Sequence, residues 1–198
     1  ALWYPIRNHL LFDQPFRYVI EISTDSDLYC GGMTIAQRFL SFPLRGILNP
    51  LYCQPFGDYN IWQYLLKCSL FGEFTFNQEP FLAIELIVMN LAMILLSLAA
   101  MIYTMVRGKE ISILARYGLF SIWLMQLAPF IALNIQYPFG CSMDFRYIVP
   151  TAIIGAIYTG MALDRIKVRQ TKPGDAVYAL GCMIIGLFCN ASFLFYAA

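Results

Sequence analysis

Four long apolar stretches in the second half of the chain constrain its fold more than any other feature. They cover residues 81–106, 113–133, 147–163 and 176–197. Each has about 17 to 26 residues, the length that an α-helix with a rise of about 1.5 Å per residue needs to cross a hydrocarbon core of about 30 Å. The sequence therefore predicts an all-α polytopic membrane protein, with a bundle of about four transmembrane helices in residues 81–198.

The basic residues of this half predict the orientation of the bundle. Those in or beside two of the gaps between the stretches are Arg107, Lys109, Arg116, Arg165, Lys167, Arg169 and Lys172. The remaining gap, between the second and third stretches, contains Arg146 as its only basic residue. Because basic loops stay on the cytoplasmic side, residues 107–112 and 164–175 are expected inside, and residues 1–80 and 135–146 outside. The expected location is the plasma membrane, in a multi-pass arrangement.

The composition agrees with a membrane protein and argues against nucleic-acid binding. The chain is 60% hydrophobic and 13% charged, whereas soluble domains average about 45–50% and about 25%. Its basic clusters are short and lie next to the apolar stretches, as topology signals or contacts to membrane lipid do. An outside segment of 80 residues has no span before it in this chain. We therefore expect the chain to be a fragment of a longer protein.

Two amphipathic helices are predicted in the outside segment, near residues 34–42 and 59–71. In the first, Ile35, Phe39 and Phe42 share one face, and Gln37, Arg38 and Ser41 lie largely opposite. The second is rich in aromatic residues. Short helices of this kind beside membrane spans are expected to lie in the interface plane, with the apolar face toward the membrane.

Small residues predict one helix contact. Ala152, Ala156 and Gly160 recur at every fourth position of the third apolar stretch. Such a ridge allows two helix backbones to approach closely. We expect it to pack against another helix.

Disulfide bonds are permitted among four cysteines on the predicted outer side: Cys30, Cys53, Cys68 and Cys141. Their pairing is left open by the sequence. No CxxC motif or Cys/His pairing indicates a metal, and no cofactor is evident.

Arg146 and Asp144 are the only charged residues in the gap between the second and third apolar stretches. Arg146 precedes an apolar stretch, at the depth of phospholipid headgroups, where a guanidinium can hold a phosphate through two parallel hydrogen bonds. Alternatively, Arg146 extends toward water or pairs with Asp144. Both residues are candidates for a lipid-phosphate or substrate site.

Lys67 and Arg7 are further candidates for this site. Lys67 lies in an otherwise apolar helix, where it either contacts a buried anionic ligand or extends past lipid to water. Arg7 follows the aromatic opening of the chain, close to the expected exit from a preceding span. The sequence contains no paired-carboxylate motif, P-loop, nucleophile elbow or HExxH motif, so no catalytic residue is predicted.

Three segments resemble the C-terminal part of the GT-C superfamily of integral-membrane glycosyltransferases. They are residues 2–15 (LWYPIRNHLLFDQP), residues 64–73 (YLLKCSLFGE) and residues 144–150 (DFRYIVP). The likeness is to bacterial relatives of protein O-mannosyltransferases and aminoarabinose transferases, which are family 39-like. It covers nearly the whole chain in layout, although the motifs are loose.

The resemblance implies a function in the cell envelope. In that family a sugar on a polyprenyl-phosphate donor is transferred at the outer membrane face, by a hexosyl- or pentosyltransferase activity. The family's carboxylate, which acts as a base or binds near a metal, lies in a first external loop that this chain does not contain. The resemblance thus implies that Arg146 and Lys67 contact phosphate, and it allows a divalent metal in the full-length protein.

Two other functions remain open at this point. One is a non-catalytic component of membrane assembly or polymer export. The other is a transporter or flippase subunit, which would place its site at the membrane midplane on broken helices. Only Pro129 is placed to break a span. An acidic pair soon after a first span, upstream in the longer protein, would favour the enzyme.

Overall fold

The computed structural model describes residues 3–13, 24–26, 29–42, 46, 48–49, 60–72 and 79–197. Within these residues the chain is helical, without strands, apart from one isolated antiparallel bridge between Tyr29 and Phe139. The six α-helices in the described residues are α1 (Trp3–Phe12), α2 (Ile61–Phe71), α3 (Pro80–Arg107), α4 (Leu119–Gln136), α5 (Val149–Val168) and α6 (Lys172–Ala197). The prediction of an all-α polytopic membrane protein is confirmed.

Shorter helical segments connect these helices. They are the π-helical turns Ala36–Leu40 and Leu114–Gly118 and the 3₁₀ turns Gly140–Met143 and Phe145–Tyr147. Pro80 starts α3 at a position where its missing N–H costs nothing.

Among the described residues, three helical stretches are long and apolar enough to cross a membrane: Pro80–Arg107, Leu114–Gln136 and Lys172–Ala197. The fourth predicted span coincides with α5, which carries Asp164, Arg165 and Lys167 near its end. α5 packs against α3, α4 and α6. One face of α5 is exposed all the same, with Ile153 at 58% and Ile157 at 42%. The count of four spans stays a prediction.

α3 and α5 approach closely, but not through the predicted small-residue ridge. A Cβ atom added at Gly155 would lie 3.1 Å from Cβ of Ser97. The hydroxyl of Thr159 is 3.3 Å from that of Ser97. Ala152, Ala156 and Gly160 are exposed. The prediction for the ridge was wrong, because α3 packs against the face of α5 that contains Gly155 and Thr159.

Both predicted short helices contain helical segments, but the residues that these segments bury differ from those that the amphipathic patterns predict. α2 buries eight of its eleven residues, so it packs on more than one face. In the Ala36–Leu40 turn, Arg38 is only 3% exposed, whereas Ile35 and Phe42 are 61% and 47% exposed. Gln37 and Ser41 are exposed as well, and Phe39 is partly buried against the apolar cluster that contains α2. Arg38 thus points into the protein, whereas Ile35 and Phe42 point outward. The placement of both helices in the membrane interface stays a prediction.

α2 lies across one end of the bundle, between two apolar clusters. One side contacts the end of α4 and the start of α5 through Phe130 and Ile148. The other side contacts the start of α3 and the end of α6 through Leu86 and Phe195. We call this the Arg38 end. The opposite end, where the connection 108–113 meets the end of α5, is the Arg165 end. The sequence predicts the Arg38 end outside and the Arg165 end inside.

Candidate anion-binding site at the Arg38 end

The start of α2 is fixed to the Ala36–Leu40 turn by side-chain hydrogen bonds. Asn60 caps the helix by accepting from the N–H of Gln63 at 3.1 Å, and its amide donates to the carbonyl of Ser41. The indole of Trp62 donates to the carbonyl of Phe39 at 2.7 Å. An Asn at this position satisfies a backbone donor that the first helical turn leaves without a partner. α2 therefore holds the segment that carries Arg38 in a defined place.

Arg38 is a buried cation whose hydrogen-bonding partners are neutral. Its Nη1 donates to the carbonyl of Asn134 at 2.8 Å, and its Nη2 is 3.9 Å from the sulfur of Met143. Asn134 lies in the last turn of α4, where carbonyls have no helical donor and a cation is favoured. The Nε atom is buried without a hydrogen-bond partner. The described residues give this guanidinium no carboxylate.

Burial acts on the ionisation of the groups around Arg38. Burial lowers the pKa of Arg38 from its ordinary value, because desolvation disfavours the charged form. For the same reason burial raises the pKa of the Cys30 thiol to about 11, although the charge of Arg38 opposes this shift. Cys30 is a neutral thiol at physiological pH and does not provide the missing anion.

Asn134 joins α4 to the connection that follows it. The residue is completely buried, and its amide donates to the carbonyls of Phe130 at 2.9 Å and Ser142 at 3.1 Å. The hydroxyl of Ser142 donates back to Oδ1 of Asn134 at 2.8 Å. Cys30 contributes from the other side through its N–H, which donates to the carbonyl of Pro138 at 2.7 Å. The connection is thereby held over the end of α4.

Asp144 and Arg146 form an ion pair in which only the carboxylate is buried. Nε of Arg146 is 3.0 Å from Oδ2 of Asp144, and the side chains are 61% and 10% exposed, respectively. Oδ1 accepts from the N–H of Arg146 at 2.9 Å and from the thiol of Cys68 at 3.2 Å. The sequence left this pair open as an alternative to phosphate contact. The pair exists, and it orients the guanidinium at the surface.

Lys67 lies one residue before Cys68, inside the same assembly. Its exposed fraction is 0%. The alternative in which Lys67 extends past lipid to water is therefore wrong in this structure, because α2 is covered by the bundle and by the connection after α4. The structure brings Lys67, Asp144 and Arg146 to one end of the bundle.

Arg7 is not brought into this group. It is an exposed residue of α1, a helix that also exposes Trp3 and Leu10 at 73% and 75%. Among the described residues, no hydrogen bond or ion pair joins Arg7 to the Asp144–Arg146 pair. Its assignment as a site residue stays a prediction.

Neither a disulfide bond nor a metal site is found among the described cysteines and acidic side chains. No disulfide bond joins Cys30, Cys68 and Cys141, while Cys53 lies outside the described residues. In the part of the chain that the structure describes, no three His, Cys, Asp or Glu side chains could hold a metal ion.

The charges at the Arg38 end favour the binding of an anionic ligand. Among the described residues, this end brings together the cations Arg38, Lys67 and Arg146 and the carboxylate of Asp144. Charges removed from water are screened less than exposed ones, so the buried guanidinium of Arg38 favours an anion nearby. Arg146 lies exposed at the same end. Sequence reasoning missed Arg38 because its position in the amphipathic pattern suggested a solvated face.

Comparison of the chain with protein-family models, with curated proteins and with solved structures found no match.

Proposed function

We propose that the chain is part of a multi-pass plasma-membrane glycosyltransferase that takes its sugar from a polyprenyl-phosphate donor at the outer membrane face. The observation that carries this proposal is the buried guanidinium of Arg38, to which the described residues give no carboxylate, at the same end of the bundle as the Asp144–Arg146 pair. A buried charge without an opposite charge is costly. A phosphate bound nearby would provide that charge.

The proposed site divides its tasks among the residues. Arg146 contacts a phosphate oxygen, since its side chain is 61% exposed, and Asp144 orients it. Arg38 and Lys67 contribute positive potential from the interior of this end. The exposed apolar side chains Ile35 and Leu40, at 61% and 82%, offer a surface for the polyprenyl tail. The sugar and the acceptor are then on the water side.

Donor binding by the full-length protein in nanodiscs tests the phosphate contact. Arg146→Ala is expected to weaken the binding of a fluorescent polyprenyl-phosphate donor by about ten- to a hundredfold, equivalent to about 1.4–2.8 kcal/mol. Arg146→Lys keeps the charge but loses the planar fork, so it is expected to weaken binding as well.

Arg107→Ala is the matched control, because it removes an exposed arginine from the opposite end. Its donor affinity is expected to equal that of the unaltered protein. Unchanged binding in both Arg146 variants would refute the phosphate contact, and movement of the donor across the bilayer without sugar transfer would favour a flippase.

A further inference from the structure

The two basic connections of the chain meet at the Arg165 end. Nη2 of Arg165 is 3.0 Å from Oε1 of Glu110, which lies in the connection between α3 and α4. The Arg165 side chain is 9% exposed and that of Glu110 is 80% exposed. The hydroxyl of Tyr158 donates to the carbonyl of Arg116 and so holds α5 against the same connection. This end is therefore built from both segments that the sequence predicts inside.

A cleft of about 430 Å³ opens between these segments. Its charged lining consists of two carboxylates and two guanidiniums, and Met161 and Val168 contribute apolar surface. The charged residues are Glu110, Asp164, Arg165 and Arg169. The size lies within the range of small-molecule sites, about 300–1,000 Å³.

Among the described residues, part of the polar lining of this cleft has no hydrogen-bond partner. The Arg165 side chain is about nine-tenths buried. Its Nε atom has no hydrogen-bond partner there. Among the described residues, the side chains of Asp164 and Arg169 take part in no hydrogen bond or ion pair. Buried donors in native proteins are normally satisfied by protein, water or a ligand. Unused donors and acceptors thus line one cleft.

The mixed charge of the lining restricts the ligand. A simple anion would face Glu110 and Asp164, and a simple cation would face Arg165 and Arg169. A ligand with a phosphate and an ammonium group complements both pairs. The cleft also lies where apolar helices end, at the depth at which phospholipid headgroups occur. From these observations we propose that the cleft binds the phosphoethanolamine headgroup of a phospholipid.

Each part of that headgroup has a counterpart in the cleft. Arg165 and Arg169 bind the phosphate through charge-assisted hydrogen bonds. The primary ammonium donates to Asp164 and Glu110, which a choline headgroup cannot do because it has no N–H. Met161 and Val168 cover the glycerol and the first methylenes of the acyl chains. This site does not depend on the function proposed for the Arg38 end.

Native mass spectrometry of the protein released from mixed nanodiscs tests the proposal. The nanodiscs contain equal amounts of phosphatidylethanolamine, phosphatidylcholine and phosphatidylglycerol, with distinguishable acyl masses. The first lipid is expected to be retained about tenfold more than each of the others, as one charge-assisted interaction of about 1.4 kcal/mol would produce. Soluble glycerophosphoethanolamine is expected not to displace it, because it lacks the acyl chains.

Asp164→Asn and Arg169→Gln are the informative variants. Both residues are exposed, so their replacement leaves the fold intact even if an Arg165 variant does not fold. Each is expected to abolish the preference for phosphatidylethanolamine, whereas Lys172→Gln, an exposed residue outside the cleft, is expected to keep it. Equal retention of the three lipids, or stronger retention of phosphatidylglycerol, would overturn the proposal. Displacement of the lipid by soluble glycerophosphoethanolamine would show that the cleft does not require a phospholipid.

Discussion

The two ends of the bundle carry charge in opposite ways. At the Arg38 end, Arg38 and Lys67 are buried and the exposed Arg146 is tied to a buried carboxylate. At the Arg165 end, Arg107, Lys109, Lys167 and Arg169 are exposed, and the buried Arg165 pairs with an exposed Glu110. Exposed basic residues need no partner and suffice to orient a membrane protein. Buried ones need a specific environment, which consists of neutral groups around Arg38 and of a carboxylate beside Arg165.

The largest expected effect concerns which end faces the cytoplasm. In a background without native cysteines, Asp25→Cys is expected to react with a membrane-impermeant maleimide in intact cells. Gln170→Cys is expected to react only after the membrane is opened, because the basic loops are expected inside. The measurement is gel-shift labelling before and after permeabilisation. Labelling of position 170 alone in intact cells would show that the Arg165 end, and not the Arg38 end, lies outside.

Removal of the buried carboxylate at the Arg38 end should have the largest effect on stability. Asp144→Ala removes the acceptor for the Cys68 thiol and for two nitrogens of Arg146. We expect a loss of about 3 kcal/mol in the free energy of unfolding, since hydrogen bonds to charged groups contribute about 1.5–3 kcal/mol and Arg146 is largely solvated. Thermal unfolding in detergent measures it. A loss below that of Glu110→Ala at the other end would contradict the distinction between the two ends.

The α3–α5 contact, which connects the two ends, gives an intermediate effect. Gly155→Leu places a side chain against Ser97, where a single Cβ would already be only 3.1 Å away. Overpacking of this kind costs about 1–3 kcal/mol. Gly160→Leu is the matched control in the same helix, because nothing lies within 4 Å of its Cβ position. Equal losses in both variants, measured by thermal unfolding, would mean that the contact does not hold α3 to α5.

The smallest effect is expected from the ion pair at the Arg165 end. Glu110→Ala removes the exposed partner of Arg165, and exposed ion pairs contribute about 0–1 kcal/mol. Unfolding measured at low and high salt should differ little between the variant and the unaltered protein. A loss of several kcal/mol would show that this end, too, depends on a specific buried charge.

Local features of the Arg38 end could be predicted, and long-range ones could not. Asp144 and Arg146 lie two residues apart, so their pairing was already an alternative in the sequence. The hydrogen bond from Arg38 to Asn134 spans 96 positions, and nothing in either local pattern indicates it. The Asn at position 134 near the end of an apolar stretch was the one available signal for a buried polar contact.

The same limit explains the errors in the outside segment. An amphipathic pattern states that two faces differ, but it does not state which face meets the protein. In a water-soluble protein the apolar face packs inward. Around the Ala36–Leu40 turn each face is divided: Arg38 donates to the end of α4 whereas Gln37 is exposed, and Phe39 is partly buried whereas Ile35 is exposed. The partner that buries Arg38 is 96 positions away, so the local pattern could not indicate it.

The sequence by itself determined the all-α membrane class, the positions of the long apolar helices and the candidate cations. These properties follow from hydropathy and helix length, which are summed over neighbouring residues and need no knowledge of distant ones. Only the tertiary structure decided that Arg38 and Lys67 are buried, that Asp144 accepts from Cys68, and that two basic connections enclose one cleft. Burial and hydrogen bonding depend on residues far apart in the chain, and only the packed helices bring these together.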